Sequence, residues 1–243
     1  MKSKFFNAEV TPTLTGAGMH AEVAGGKVLF DWTGFEIPRG VAKLVGATYF
    51  MRPHGDAGPT AQDKSIDFVF AKAPSPDATP ATIGAIGASP FGTPRHDIIG
   101  VLPGVDADLV EGHTNSIFTT TKSPGVVLES DPSSGGNVGV DKYYIAGIAT
   151  GSIDFRSIIV VDDADIASAA HTTINTGGTS MDNREHFIAG DVIHAQDGAV
   201  VGTLASVAES AITLTAELGT SILTNGDTLY CINPIKIILH FTK

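Results

Sequence analysis

The sequence predicts an all-β protein: a loop-rich β-sandwich or jelly-roll-like domain over residues 1–184, then a small five-stranded β-barrel over 185–243. Three observations predict it. Apolar and polar residues alternate with the period of a half-buried strand in segment after segment. The 28 glycines and 13 prolines fall between these runs, where turns are needed. Only Asp162 to Ala170, with aspartates to cap it and alanines to carry it, has helical composition.

The elements follow in order. Met1 to Asn7 crowds Lys2, Lys4, Phe5 and Phe6 together. Two readings stand for it: a frayed terminus whose rings tuck onto the nearest sheet, or an arm whose four residues dock on a neighbouring subunit. Lys27 to Trp32 is a strand behind the Gly25-Gly26 turn, and Val41 to Arg52 a longer one ended by Pro53. Ser65 to Lys72 sets Ile66, Phe68 and Phe70 against Asp67, Val69 and Ala71, predicting one buried face. From Ala73 to Asn137 prolines interrupt the pattern, which excludes long central strands and leaves three short ones near 98–102, 116–121 and 126–129. Loops of that length are normally functional, and this one has no evident task within a single fold. Tyr143 to Ile148 and Ser152 to Val161 restore regular strands, the second with Ile153, Phe155, Ile159 and Val161 on one face. Gly177-Gly178 and the polar 182–185 stretch mark the domain boundary.

The last quarter is the most legible. Val192 to His194 and Val200 to Leu204 flank Asp197-Gly198, a dipeptide suited to a tight hairpin turn. Ala211 to Thr215 and Thr228 to Ile232 follow, the latter introduced by Asn225-Gly226-Asp227. Ile235, Ile237, Leu239 and Phe241 then alternate with Lys236, Ile238, His240 and Thr242. The first set belongs in a core.

Charge narrows the function. Fifteen Lys+Arg against 26 Asp+Glu leave a formal charge of −11, a surface that repels phosphate backbones, so no nucleic-acid partner is expected. No apolar run approaches a membrane span and no basic-then-apolar start is present, so neither a membrane partner nor export is expected. Synthesis in a cytoplasm follows. Cys231, the single cysteine, lies within a strand and reads as a buried thiol.

The candidates for chemistry each lack a required part. No nucleophile elbow, phosphate loop or HExxH helix occurs. Asp162, Asp163 and Asp165 suggest a hard-cation loop but lack the EF-hand spacing. His171, His186 and His194 do not have zinc spacing. Arg95-His96-Asp97 reads as a surface turn. No catalytic residue, cofactor or metal is therefore assigned, and no enzyme is expected.

The stretch GFEIPRGVAKLV at 34–45, with IDFVFAK at 66–72, VGVDKYYIAG at 138–147 and IDFR at 153–156, resembles a virion structural protein of marine tailed bacteriophages. AGDVI at 189–193 and DTLY at 227–230 belong to the same resemblance, which covers most of the chain in islands. It implies a particle component on the outer capsid surface, a decoration or cement protein whose partners are the major capsid protein and copies of itself in a small symmetric oligomer. Acidity suits such a role, because a protein displayed outside a DNA-filled shell needs no basic face. Two alternatives differ in class. A tail, baseplate or fibre component binding a receptor or carbohydrate would present a concave patch of aromatics, and a hydrolase would bring two buried acids to one cleft.

Overall fold

The computed structural model describes residues 4–14, 22–53, 61–73, 78–91, 97–111, 117–122, 125–129, 140–155, 159–162, 171–177, 182–195, 197–218 and 223–243. The chain is all-β, and every strand pairing described is antiparallel.

Two sheets form a sandwich. The larger runs β1 (Phe5–Val10), β16 (Ile235–Thr242), β3 (Ala42–Met51), β7 (Ile117–Lys122) and β6 (Val110–Glu111), with β8 (Val127–Leu128) also on β3. The smaller runs β2 (Val28–Pro38), β9 (Val140–Ala149), β4 (Ile66–Lys72) and β5 (Ile98–Leu102). Their facing sides interdigitate through rings. Tyr49 of β3 meets Phe68 of β4 edge-on at 5.1 Å, and Phe35 of β2 lies 6.2 Å from Phe241 of β16. Offset and edge-on pairs of this kind add to the area they bury. Gly147 in β9 is required by that packing, since a Cβ there would come within 2.2 Å of the Phe30 ring.

Ile235, Ile237, Leu239 and Phe241 are fully buried while Lys236 is exposed and His240 half-buried, as the alternation predicts. The strand from Ile66 differs from expectation: Val69 and Ala71 are as buried as Phe68 and Phe70. The reason is a cover. Residues 78–91 of the proline- and glycine-rich excursion lie over the outer side of the smaller sheet, where Ile83 packs with Val28 and Ala146. Hydrogen bonds fasten it: Trp32 Nε1 donates to the Ala81 carbonyl at 2.9 Å, Val28 N to Ala88 at 3.0 Å, and the Tyr144 hydroxyl to Ala78 at 3.2 Å. Part of the middle segment thus has a task within the fold, contrary to expectation.

A second core occupies a barrel. Its strands run β10 (Val160–Val161), β11 (Thr173–Gly177), β14 (Ala211–Leu214), β13 (Val200–Ala208), β12 (Val192–Ala195) and β15 (Leu229–Cys231). The two ends meet at a Val160–Thr228 bridge, where Leu229 N donates to Ile159 at 3.0 Å and Val161 N to Asp227 at 2.9 Å. The expected hairpin joins β12 to β13 with Gly198 at φ 86°, a left-handed turn position, and Asp197 accepting from Ala199 N.

The domain boundaries need correction. The barrel body begins at Ile159 and has six strands, because the four between Val192 and Cys231 cannot close alone and β10 and β11 complete the ring. The strand at Ile235 leaves it for the sandwich, where it lies between β1 and β3 and shares a core with Phe6 and Phe35. The barrel is therefore an insertion between β9 and β16. Residues 152–161 do not form one strand with one face: Ile153 enters the sandwich core, whereas Ile159 and Val161 enter the barrel. The 182–185 stretch lies inside the barrel body, as a single turn of helix, α1 (Asn183–His186), capped by Asp182 accepting from Arg184 N. Of the expected helix, Asp162 to Ala170, residues 163–170 lie outside the described residues.

Candidate functional site

Of the four residues assigned to an interface, Lys2 lies outside the described residues. Lys4 exchanges backbone hydrogen bonds with Lys243 in both directions, at 3.4 and 2.9 Å. Phe6 stacks on Phe241 at 5.2 Å and packs against the sandwich core. Phe5 points the other way and is 76% exposed. The segment is thus an edge strand, with one ring inward and one outward, as period-two geometry demands.

Phe5 opens the uncovered face of the larger sheet. Along that face stand Val41, 61% exposed, Val45, 38%, and Phe50, 41%. Lysines intersperse them, among them exposed Lys43 and Lys236, the latter paired with Glu9 at 2.9 Å. Across the same face runs a row of side-chain hydrogen bonds over four strands. Asn7 Oδ1 lies 3.0 Å from His240 Nδ1, His240 Nε2 lies 2.9 Å from Thr48, and Thr48 lies 2.8 Å from Thr120. One neutral tautomer, with the proton on Nδ1, satisfies both ring nitrogens: His240 donates to Asn7 and accepts from Thr48. The row sits at the outward positions of four strands that come from separate segments, and the first of them, β1, stands where the sequence suggests a terminus or arm.

The seam between sandwich and barrel is the second polar cluster. Arg52, at the end of β3, donates to Asp191 at 2.6 Å and to the His186 carbonyl at 2.5 Å. Burial raises the Asp191 carboxyl, with the Arg52 guanidinium opposing. Burial also pulls the His186 imidazole down to about 4, reinforced by Arg52, and its Nε2 has no hydrogen-bond partner among the described residues. Cys231 lies beside them, buried as expected, its thiol pushed up to about 11 by burial. A Cys, a His and an Asp in one place invite a nucleophile reading, but a reactive thiol needs a lowered pKa and access, and this one has neither. The cluster is a clamp. Its residues lie too far apart in sequence for spacing to reveal it.

The remaining candidates separate. His171 is exposed and His194 hydrogen-bonds the Gly198 carbonyl at 3.0 Å. Asp163, Asp165, Arg95 and His96 lie outside the described residues. Buried Asp141 is held by Arg39 and by Gly40 N, a different site from Asp191, so these two acids do not share a cleft. Among the described residues, no group of three His, Cys, Asp or Glu could hold a metal. A groove of about 870 Å³ runs past Thr13, Asp31, Trp32, Thr82 and Ile86. Two aromatic rings line it, Trp32 and the buried Phe30, while all four tyrosines are buried.

No protein-family model matches the chain, and no curated protein does. Among solved structures, the chain is similar to that of infectious bursal disease virus Gx strain at 12% identity and a TM-score of 0.14, over all of this chain and 41% of the other. At that score the likeness carries no argument. The chain spans less than half the length of that match.

Proposed function

We propose that this chain is a non-enzymatic structural protein of a tailed phage particle, one that decorates the capsid and stabilises it through subunit contacts. The observation that carries the reading is the uncovered sheet face bearing Phe5, Val41, Val45 and Phe50 among lysines. Large apolar residues gathered on one exposed face mark a contact surface. A protein that binds only the assembled shell stabilises it by mass action. The phage-protein resemblance at 34–45, 66–72 and 138–147 supplies the setting. The receptor-binding alternative has the Trp32 groove in its favour, but the second ring in its lining, Phe30, is buried in the core.

The test is to add purified protein to shells of the encoding phage that lack it, and to follow their heat resistance. Bound protein and a raised disruption temperature are expected, with both lost in Phe50→Lys combined with Val41→Glu. Circular dichroism should show that this variant keeps its fold, since both positions face outward. Deleting residues 1–7 would not serve, because it removes half of β1 and takes Phe6 from the core. Shells equally robust without the protein, and a protein that never associates with them, would overturn the reading.

A further inference from the structure

The sheet edges are not guarded alike. In the smaller sheet, β2 is broken by two register shifts and partly covered by backbone bonds to Gly87 and Ala88, and β5 carries a register shift after Phe70 of its neighbour. In the larger sheet, β6 and β8 are two residues long. The barrel closes on itself. Only β1 is a long and regular edge among the described residues: six residues in unbroken register with β16, with no proline and no bulge. Natural sheets usually blunt such an edge, because its unpaired amides and carbonyls template another strand.

The phase of that edge can be derived. Lys4 and Lys243 exchange both backbone hydrogen bonds, so they form a hydrogen-bonded pair. Such pairs alternate along an antiparallel ladder. Phe6, Ala8 and Val10 therefore bond to β16, and the amides and carbonyls of Phe5, Asn7 and Glu9 point outward.

We propose that β1 pairs antiparallel with β1 of a second copy of this chain, about a two-fold axis at Asn7, joining the two larger sheets into one. In this register Phe5 meets Glu9 of the partner subunit, Asn7 meets the partner's Asn7, and every outward group of the three residues finds a partner. Two features select a second copy over a foreign strand. The edge is self-complementary: on the inner side the large Phe6, half-buried in one copy, lies opposite the small Ala8 of the other. The transverse row also continues. Asn7 uses its carbonyl on His240, and its amide faces the carbonyl of the partner's Asn7, so the chain of side-chain bonds from Thr120 passes through the axis. Phe5, the most exposed large apolar side chain among the described residues, would lie over Glu9 of the partner subunit, whose carboxylate Lys236 holds in place. A single strand pair buries less than a stable interface needs. The dimer is thus weak in dilute solution and forms where copies are concentrated, as on a particle. The inference rests on the assembly reading for its purpose.

Register makes it testable. Across a two-fold axis at Asn7 the paired Cα atoms lie about 5.5 Å apart, within disulfide reach, whereas two Glu9 positions lie about 14 Å apart. Full-length Asn7→Cys and Glu9→Cys should be oxidised with glutathione disulfide at high protein concentration. At least about tenfold more covalent dimer is expected from Asn7→Cys; buried Cys231 does not compete. Asn7→Pro removes an outward donor and leaves the ladder to β16 intact, so it should fold normally by circular dichroism and abolish the concentration-dependent dimer seen by light scattering. Equal crosslinking at both positions, or an unchanged dimer in Asn7→Pro, overturns the proposal. A monomer that still binds shells sinks the edge pairing alone; a dimer that ignores them sinks the capsid reading alone.

Discussion

The sandwich and the barrel solve the same problem with different side chains. The sandwich core is built from rings, including Phe30, Phe35, Tyr49, Phe68, Phe70, Tyr143 and Phe241. The barrel core is aliphatic, with Ile174, Ile193, Leu204, Ile212, Leu214 and Leu229 and one aromatic, Phe187. Geometry accounts for the contrast. Two facing sheets stand about 10 Å apart and admit interleaved rings, whereas the interior of a six-stranded ring is narrow and takes branched aliphatics. Connectivity differs too. Barrel neighbours β12, β13 and β14 follow one another along the chain, while β16 pairs with β1 and β3 from its far end. One body is mostly local in sequence and the other is not.

The largest expected effect tests the sandwich. Phe241→Ala should lose about 3–5 kcal/mol, because the ring is fully buried and touches Phe6 and Phe35. Leu229→Ala in the barrel should lose about 2–4 kcal/mol. Trp32 is the single tryptophan and lies in the sandwich, so its fluorescence reports that body, whereas circular dichroism sums both. If the bodies unfold separately, Phe241→Ala moves the fluorescence transition below the dichroism one and Leu229→Ala does not. Coincident transitions in both variants would show one cooperative unit.

The clamp should decide between those outcomes. Arg52→Met leaves Asp191 buried without its cation and should lose about 1.5–3 kcal/mol in urea unfolding. It should also separate the two transitions if they coincide in the parent. A loss under about 0.5 kcal/mol would mean that the apolar surroundings alone hold the seam.

A smaller effect comes from pH. The His186 imidazole titrates near 4 in the folded chain and near 6.5 unfolded, so its contribution is complete above 6.5 and is lost as pH falls toward 4. Asp191, raised by burial, works in the opposite direction and favours the folded state in acid. His186→Phe should flatten the stability profile between pH 6.5 and 4, measured as urea midpoints across that range. A profile as steep as the parent's would assign the acid sensitivity to other groups.

Strands and turns were legible where local chemistry sets them. The alternation of Ile237, Leu239 and Phe241, the Asp197-Gly198 hairpin and the Asn225-Gly226-Asp227 turn all appear in the structure. Membership was not legible. Only Ile232, Asn233 and Pro234 separate β15 from β16, a link short enough to suggest one barrel, yet Pro234 turns the chain out, its carbonyl bonded to Arg52 N at 3.0 Å. The second face of β4 was hidden because Asp67 supplied a polar beat, although it is the amide of Gly104 that Asp67 accepts at 2.8 Å. Prolines in the middle segment break strands, as the short β5, β6 and β8 show, but breaking a strand does not say where the loop lies. Of the site, the outward positions of Lys236 and His240 follow from alternation alone, whereas the strand that turns Phe5 outward was read as a terminus or arm. Its joining into one row with Asn7, Thr48 and Thr120 depends on register between distant segments, which no local rule carries.

The insertion of the barrel between β9 and β16 also sets an order of birth. A ribosome delivers residues 159–231 before β16, so the barrel can close while the sandwich still lacks the strand that seats β1 against β3. Until Ile235 to Thr242 emerge, the aromatic side of the larger sheet has a gap along its length and β1 has no neighbour. The pairing edge is therefore withheld until β16 has been made.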